Sequence, residues 1–338
     1  MCNTSRKPVS RQFSAARPRT PQRGIAIVTV LLVVALAATL AASVVWRELV
    51  AVRDVENQRL NVQTMWVERA AVEWARATLR AQSSTSNVAY VGQAWSAPVQ
   101  DVQLVDFLPR DTVALNGELA HAYISGEVED AQAKFNLTDL VSRAGPNAPW
   151  QIDSAGIEAY RRLLGALALN PALAEATASY MLRSLGNGNG AGDGWPMQLV
   201  SPQDLARVPG YDAATVKALT GYVTVLPEYT NVNANTASEP ALQAAIPTLS
   251  ASQAHMLVER RQTAYFVSAS DIALLLSAVL TNGALPSGTL VSTNSGYFLV
   301  HCRIHSAKVN LRMDTLIARY GIGDFSWTAV VWAHRVAG

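Results

Sequence analysis

Residues able to carry chemistry are few in this chain, and they are scattered. His301 and His305 stand four apart on an alternating run, which puts both on one strand face, but no acid or cysteine of the run shares it. They read as solvated strand residues and not as metal ligands. Cys302 points the other way and reads as a small buried hydrophobe, and its only companion, Cys2, lies near the N-terminus, so no zinc spacing arises. The glycine-rich stretch GNGNGAGDG, Gly186 to Gly194, lacks the glycine pattern of a P-loop or dinucleotide site, and no Lys-Ser/Thr follows it. It reads as a flexible surface loop. No Ser-His-Asp elbow, paired-acid motif or HExxH appears anywhere. The chemistry of this chain therefore resides in its elements and surfaces.

At 338 residues with 50% hydrophobic content, the chain is long enough for a membrane segment and two compact domains. Its formal charge of +2 conceals an asymmetry: Arg6, Lys7, Arg11, Arg17, Arg19 and Arg23 all precede the first apolar segment, and no acid accompanies them. The remainder carries 21 Lys+Arg against 25 Asp+Glu, an acidic body poorly suited to phosphate backbones. With two cysteines the chain must be held by its core and not by covalent staples, and cysteine usage does not settle its compartment.

Ile25 to Val45 is uncharged over 21 residues. As a helix it spans about 31 Å, which matches a hydrocarbon core of about 30 Å. A cleaved secretory signal has a shorter apolar region, although Ala41-Ala42-Ser43 offers a small-residue site for it. Positive charges before the span and acids after it predict a cytoplasmic N-terminus and a body on the far side. No Pro or Gly interrupts the chain from Trp46 to Arg80, so one helix is expected to continue into the body. Val55, Val62, Met65, Trp66, Arg69, Val72 and Ala77 fall near three-to-four spacing and predict the face that lies on a sheet, with Glu56, Arg59 and Glu73 wet.

A basic leader, Gly24 directly before an uncharged span, and a helix running on into the body resemble the prepilin-type leader of type IV pilins and pseudopilins. The resemblance implies cleavage between Gly24 and Ile25 by a prepilin peptidase and methylation of the new N-terminus at Ile25. Most members carry Glu at the fifth mature position, where this chain has Thr29. An intramembrane carboxylate costs several kcal/mol unless paired, and in these fibres it is matched with the N-terminal amine of the subunit ahead. A subunit at the front has none ahead, and the minor pseudopilin K family of type II secretion resembles this pattern.

Beyond Arg80, VQLVDFL, HAYISGEVED and AKFNLTDL read as strands, with Ala122, Ile124, Gly126 and Val128 alternating against His121, Tyr123, Ser125 and Glu127. From Ile152 to Ala278 the signals turn helical. Asn170 precedes Pro171, and Ser201-Pro202-Gln203-Asp204, Ser250-Ala251-Ser252-Gln253 and Ser268-Ala269-Ser270-Asp271 have the form of capping boxes. Strands return in YFLVHCRI, AKVNLRMDTLIARY and WTAVVWAH, where Val309, Leu311, Met313, Thr315 and Ile317 share a face opposite Asn310, Arg312 and Asp314. Too few strands lie on either side of the helical block to form a sheet alone, so the block reads as an insertion into one sheet.

The likeness to the pseudopilin K family now extends along most of the chain, through GEVEDAQAKFNLTDLV and the block from Leu199 through Pro209-Gly210 to TVLPEYTNVNANTAS. It implies an α+β fold: a long N-terminal transmembrane helix packed on an antiparallel, pilin-like sheet, with an inserted all-α domain. The expected divisions are 1–24 leader, 25–85 helix with the span at 25–45, 86–145 first part of the body, 146–288 insertion and 289–338 closing strands. Implied partners are minor pseudopilins of the I and J types, the major pseudopilin, the peptidase and the bacterial inner membrane, with the body periplasmic. The implied role is non-enzymatic: a tip subunit supporting assembly of the pseudopilus and protein export across the outer membrane. The competing reading is a membrane-anchored DNA-uptake protein, since NVNANTASEPALQAAIPTLSASQAHMLVERRQ resembles tandem helix-hairpin-helix units, yet Pro247-Thr248-Leu249-Ser250 stands where their Gly-rich turn belongs. The family's helical domain also carries calcium on an acidic stretch in the region of the glycine-rich loop. Here Asn187, Asn189 and Asp193 are the only nearby oxygen-rich candidates, against several carboxylates among about six to eight oxygens at a tight site. A chelator is therefore expected to leave the melting temperature nearly unchanged, because a weak ligand adds little to native-state stability. A downward shift with EDTA, restored by Ca²⁺ alone, would contradict this.

Overall fold

The computed structural model describes residues 23–107, 120–186, 194–277, 280, 283–307 and 309–336, with the side chains of 23–25 and 107 left aside. Helix α1 (Arg23–Ser83) contributes to two compact units, one ending at Val62 and one beginning at Gln63. In the first, Ala26 to Val62 is uninterrupted, largely solvent-exposed helix whose most apolar window has a mean hydropathy of 2.6, suited to lipid.

The second unit holds a five-stranded sheet in which every neighbour is antiparallel. After α1 come β1 (Val99–Gln103), the short α2 (Leu104–Phe107) and β2 (Tyr123–Asp130). The chain then leaves the sheet for β3 (Phe135–Asn136), β4 (Val141–Ser142), β5 (Gln151–Ile152), α3 (Ser154–Ala166), α4 (Leu173–Ser184), α5 (Ala213–Leu219) and β6 (Val223–Thr224). It continues through β7 (Val232–Asn233), α6 (Glu239–Ala245), α7 (Ala251–Thr263), α8 (Ala269–Leu275) and β8 (Val291–Ser292). It returns as β9 (Tyr297–His305), β10 (Asn310–Tyr320) and β11 (Trp327–Val336), giving the order β1-β2-β9-β10-β11. Two strands flanking the excursion, β2 and β9, are thus neighbours, paired from Tyr123↔His305 to Asp130↔Phe298. This is the α+β sheet with an inserted helical block.

From Gln63 onward, α1 lies on the sheet through Thr64, Val67, Glu68, Ala71, Val72, Ala75 and Leu79, not through the stripe of larger residues. Val72 is buried as expected and Glu73 is wet, but Met65 and Trp66 are 57% and 64% exposed, and Val55, Val62, Arg69 and Ala77 also face solvent. The correction has a steric cause. Small Ala71 and Ala75 face Ile124, Val300 and Cys302 across a narrow space between helix and sheet that Met and Trp at those positions would overfill. Two contacts to β11 fix its orientation: Glu68 pairs with the Arg335 guanidinium at 3.0 and 3.2 Å, and Arg76 donates to the Thr328 carbonyl at 2.8 Å. On β10, Met313, Thr315 and Ile317 share the buried face.

Two sequence runs expected as strands behave otherwise. VQLVDFL pairs only to Gln103, because a register shift between Val99 and Val102 and a positive φ at Asp101 bend it away into α2. AKFNLTDL keeps two strand residues and then turns 3₁₀, since the Asn136 side chain accepts from Thr138 N and Leu226 N and donates to the Glu228 carbonyl at 2.8 Å. Its Phe135, Leu137 and Leu140 enter the core of the helical block, where the Phe135 ring stacks 5.4 Å from Tyr160. The three capping-box signals open real helical turns, the first of them 3₁₀ (Pro202–Arg207), whereas Asn170 accepts from Ala172 N in a turn and α4 starts only at Leu173. Ser250 and Gln253 cap reciprocally, and Asp204 and Asp271 accept from Ser201 N and Ser268 N at 3.0 Å each.

A buried polar hub ties the block to the sheet. The Asp130 carboxylate, at the end of β2, accepts from Asn233 Nδ2 at 2.8 Å, Thr236 Oγ1 at 2.6 Å, Ser295 Oγ at 2.6 Å and Gln132 N at 2.9 Å. Asn233 also donates to the Ala89 carbonyl, and Asn235 exchanges two bonds with the backbone of Phe266. Burial raises the Asp130 pKa against these four donors. Asp130→Ala strands Asn233, Thr236 and Ser295 in a dry site, and its expected cost is about 3 kcal/mol or more, read as a lowered denaturation midpoint. A loss under about 0.5 kcal/mol, the level of an ordinary surface substitution, would remove the hub from its role.

Candidate functional site

The residues with a predicted role at the membrane lie in the first unit. Helical backbone includes Gly24 and Ile25, and Thr29 is exposed on α1 with its hydroxyl donating to the Ala26 carbonyl at 2.9 Å. That bond satisfies the hydroxyl within its own helix, so Thr29 sits in an apolar surface at little cost and offers no charge to a neighbour. The calcium candidates Asn187, Asn189 and Asp193 lie outside the described residues. Among the described residues no group of three or more His, Cys, Asp and Glu is placed to hold a metal.

His301 differs from its sequence reading. The acids absent from its own strand arrive from the neighbours: Asp314 of β10, directly opposite, lies 2.7 Å from Nδ1, and Glu129 of β2 lies 3.6 Å from Nε2. Glu129 in turn meets Lys134 at 2.7 Å. Glu129 and Asp314 outweigh partial burial and raise the imidazole to about 8, with the Asp314 contact the shorter. His305 lies beside Tyr123 with ring centroids 5.6 Å apart and 3.8 Å from Asp101. Cys302 is buried on the α1 side, and burial pushes its thiol up to about 12, so it is inert packing. The outer sheet face here carries a charge-paired cluster of His301, Asp314, Glu129 and Lys134.

The hairpin that suggested nucleic-acid binding is also spoken for. Between α6 and α7, Thr248 takes a φ of 63°, the left-handed turn for which Gly is usual. Leu249 N donates to the Ile246 carbonyl, and Gln253 N to Ser250 Oγ. Those amides are committed within the turn, where phosphate recognition needs them free.

Larger surfaces are exposed elsewhere. Met65 and Trp66 project from α1, and Ile322, Phe325 and Trp327 crowd the β10–β11 hairpin, where Trp327 stacks on Tyr320. Exposed apolar residues in such groups mark contact surfaces.

Comparison with known proteins points to a family of secretion components. Two family models, both described as type II secretion system protein K, match residues 133–228 and 232–291 in succession. The matched stretch begins just after β2 and runs through the hub asparagines to β8. Among curated proteins, type II secretion system protein K of Pseudomonas aeruginosa strain PAO1 is 27% identical over 308 residues, covering 83% of this chain and 84% of that protein. Among solved structures, a chain of the GspK-GspI-GspJ complex from the type 2 secretion system of enterotoxigenic Escherichia coli shares the fold. Its TM-score is 0.63 at 18% identity, over 84% of this chain and 99% of that one.

The raised His301 pKa carries a pH dependence. Since the folded value of about 8 exceeds the unfolded one of about 6.5, its ion pairing stabilises fully below the lower value and is lost as pH rises through the higher. The melting-temperature gap between wild type and His301→Gln is expected to be widest near pH 6 and nearly closed by pH 9. A gap independent of pH would assign the residue a packing role instead.

Proposed function

We propose that this chain is a member of the type II secretion system protein K family and a minor pseudopilin capping the tip of the secretion pseudopilus, where it supports fibre assembly and protein export. The observation that carries the reading is the succession of two protein K family models across the helical block, continuous with the sheet that α1 backs. The tip position is supported by Thr29. The side chain presents no carboxylate to a subunit ahead, while the amine of a mature Ile25 remains available to a carboxylate from behind. The chain is fitted to be followed and not to follow. The helical block adds bulk to the sheet-bearing body, a second reason to stand at an end.

Cleavage between Gly24 and Ile25, methylation of Ile25, a cytoplasmic leader and a periplasmic body form the finer part of the proposal, supported by the basic residues before the span. Its partners are minor pseudopilins of the I and J types and the major pseudopilin. The similar solved chain from the GspK-GspI-GspJ complex supports the first of these. No catalytic role is assigned.

Gold-labelled antibody against this chain is expected at one end of isolated pseudopili, and labelling repeated along the shaft would overturn the tip assignment. Gly24→Val puts a β-branched side chain at the cut and is expected to leave an uncleaved membrane precursor, with secretion lost. Mass spectrometry finding Ile25 as a normal methylated terminus in that variant would overturn the processing site.

A further inference from the structure

The two edges of the five-stranded sheet are unlike. At β1 the edge is blunted: Pro98 precedes it, only Val99, Val102 and Gln103 pair with β2, and the φ of 45° at Asp101 twists the backbone out of register. The opposite edge, β11, runs for ten residues and opens with WTAVVWA, which contains no charge, Pro or Gly.

Which backbone groups this edge presents follows from one bond. Arg319 N donates to the Gly296 carbonyl at 2.7 Å, so the Arg319 backbone faces the β9 side and its opposite, Thr328, faces away from β10. The Thr328 carbonyl, directed outward, accepts from Arg76 Nη2 at 2.8 Å, in agreement with that polarity. Two residues on, Val330 also faces outward. A register shift between Leu316 and Ile317 inserts Val331, after which Ala333 and Arg335 face outward. By this alternation the N–H and C=O groups of Val330, Ala333 and Arg335 point away from β10, and among the described residues no backbone bond from outside the ladder reaches them. Beside them stand the half-exposed side chains of Trp327, Val330 and Val331. The cations along this edge are already engaged, Arg76 by Glu73 and Arg335 by Glu68, so nothing here asks for an acidic partner.

We propose that β11 is a pairing edge that receives an extended, largely apolar strand from a neighbouring pilin-type subunit, adding a sixth strand to the sheet. Main-chain donors and acceptors at strand spacing are met by another strand, and neither a helix nor a small ligand presents such a row. The occupant rests on the tip-complex reading above. The bulge at Val331 divides the edge, so the incoming strand registers on Val330 on one side and on Ala333 and Arg335 on the other.

The test is amide hydrogen exchange, resolved to single residues, on the full-length chain in detergent, alone and co-purified with the other minor pseudopilins of its own secretion system. Val330, Ala333 and Arg335 are expected to exchange at least tenfold more slowly in the complex, while Ala329, Trp332 and His334, bonded to β10, are slow in both. Unchanged exchange in an intact complex overturns the proposal and leaves the family function standing. Val330→Pro removes an outward donor and no β10 bond, and is expected to cut partner recovery at least tenfold with an unchanged melting temperature. Undiminished recovery also overturns the proposal. If Val330→Pro fails to fold, Val330→Lys serves the same comparison. Slowing that follows the concentration of this chain alone would make a second copy the occupant, against the proposal. If the wild-type chain recovers no pilin-type subunit, the tip-complex reading fails, and the occupant with it.

Discussion

Everything in the second unit hangs on a single buried carboxylate. Asp130 ends β2, the last strand before the chain leaves the sheet, and it takes hydrogen bonds from Asn233 and Thr236 of the helical block and from Ser295 just before β9. A charge there would be intolerable alone, since desolvation opposes it strongly. Four donors make it acceptable, and they are donors only if the block, the exit and the return of the chain are all in place. The apolar core of the block, from Phe135 and Tyr160 to Leu242 and Leu257, supplies most of the burial but no directional information. The hub supplies that, so the block has one seat on the sheet.

A division of labour also runs around α1. One face uses Val67, Ala71, Ala75 and Leu79 to reach the sheet, with Glu68 and Arg76 fixing the helix against β11. Another presents Met65 and Trp66 to solvent, as does the β10–β11 hairpin with Phe325 and Trp327. A body that folded for itself alone would have little reason to spend its largest side chains on water. Their place in the fold is consistent with a protein whose surfaces are completed by others.

Much of the architecture was legible because the signals were local. Alternation in HAYISGEV and VNLRMDTLI, three capping boxes and an uncharged 21-residue span each depend on neighbours in sequence, and each corresponds to an element of its expected kind. What was not legible depended on register. His301 had no acid on its own strand, and only the pairing of β9 with β2 and β10 brings Glu129 and Asp314 to it. The docking face of α1 was misassigned because periodicity ranks apolar size, whereas a helix lying close to a sheet selects small residues. In FNLTDL only Phe135 and Asn136 remain strand, because the Asn136 side chain takes over the bonds a longer strand would have made. The recurring NVNAN asparagines carried no visible role until the distant Asp130, Ala89 and Phe266 were seen around them.

The position of the helical block between β2 and β9 sets the order in which this protein must be built. Pairing Asp130 with Phe298 closes a loop that contains every residue of the block, and as a flexible chain that closure costs about 4 to 5 kcal/mol of entropy before any sheet contact is gained. The same closure becomes nearly free once the block has folded, because its own core brings the two ends of the excursion together. The central strand pair is therefore a late event that waits on a domain it does not contain. During synthesis β2 must wait without its β9 neighbour until well over a hundred further residues have been added, and this long interval is when the chain most needs protection from partners of the wrong kind.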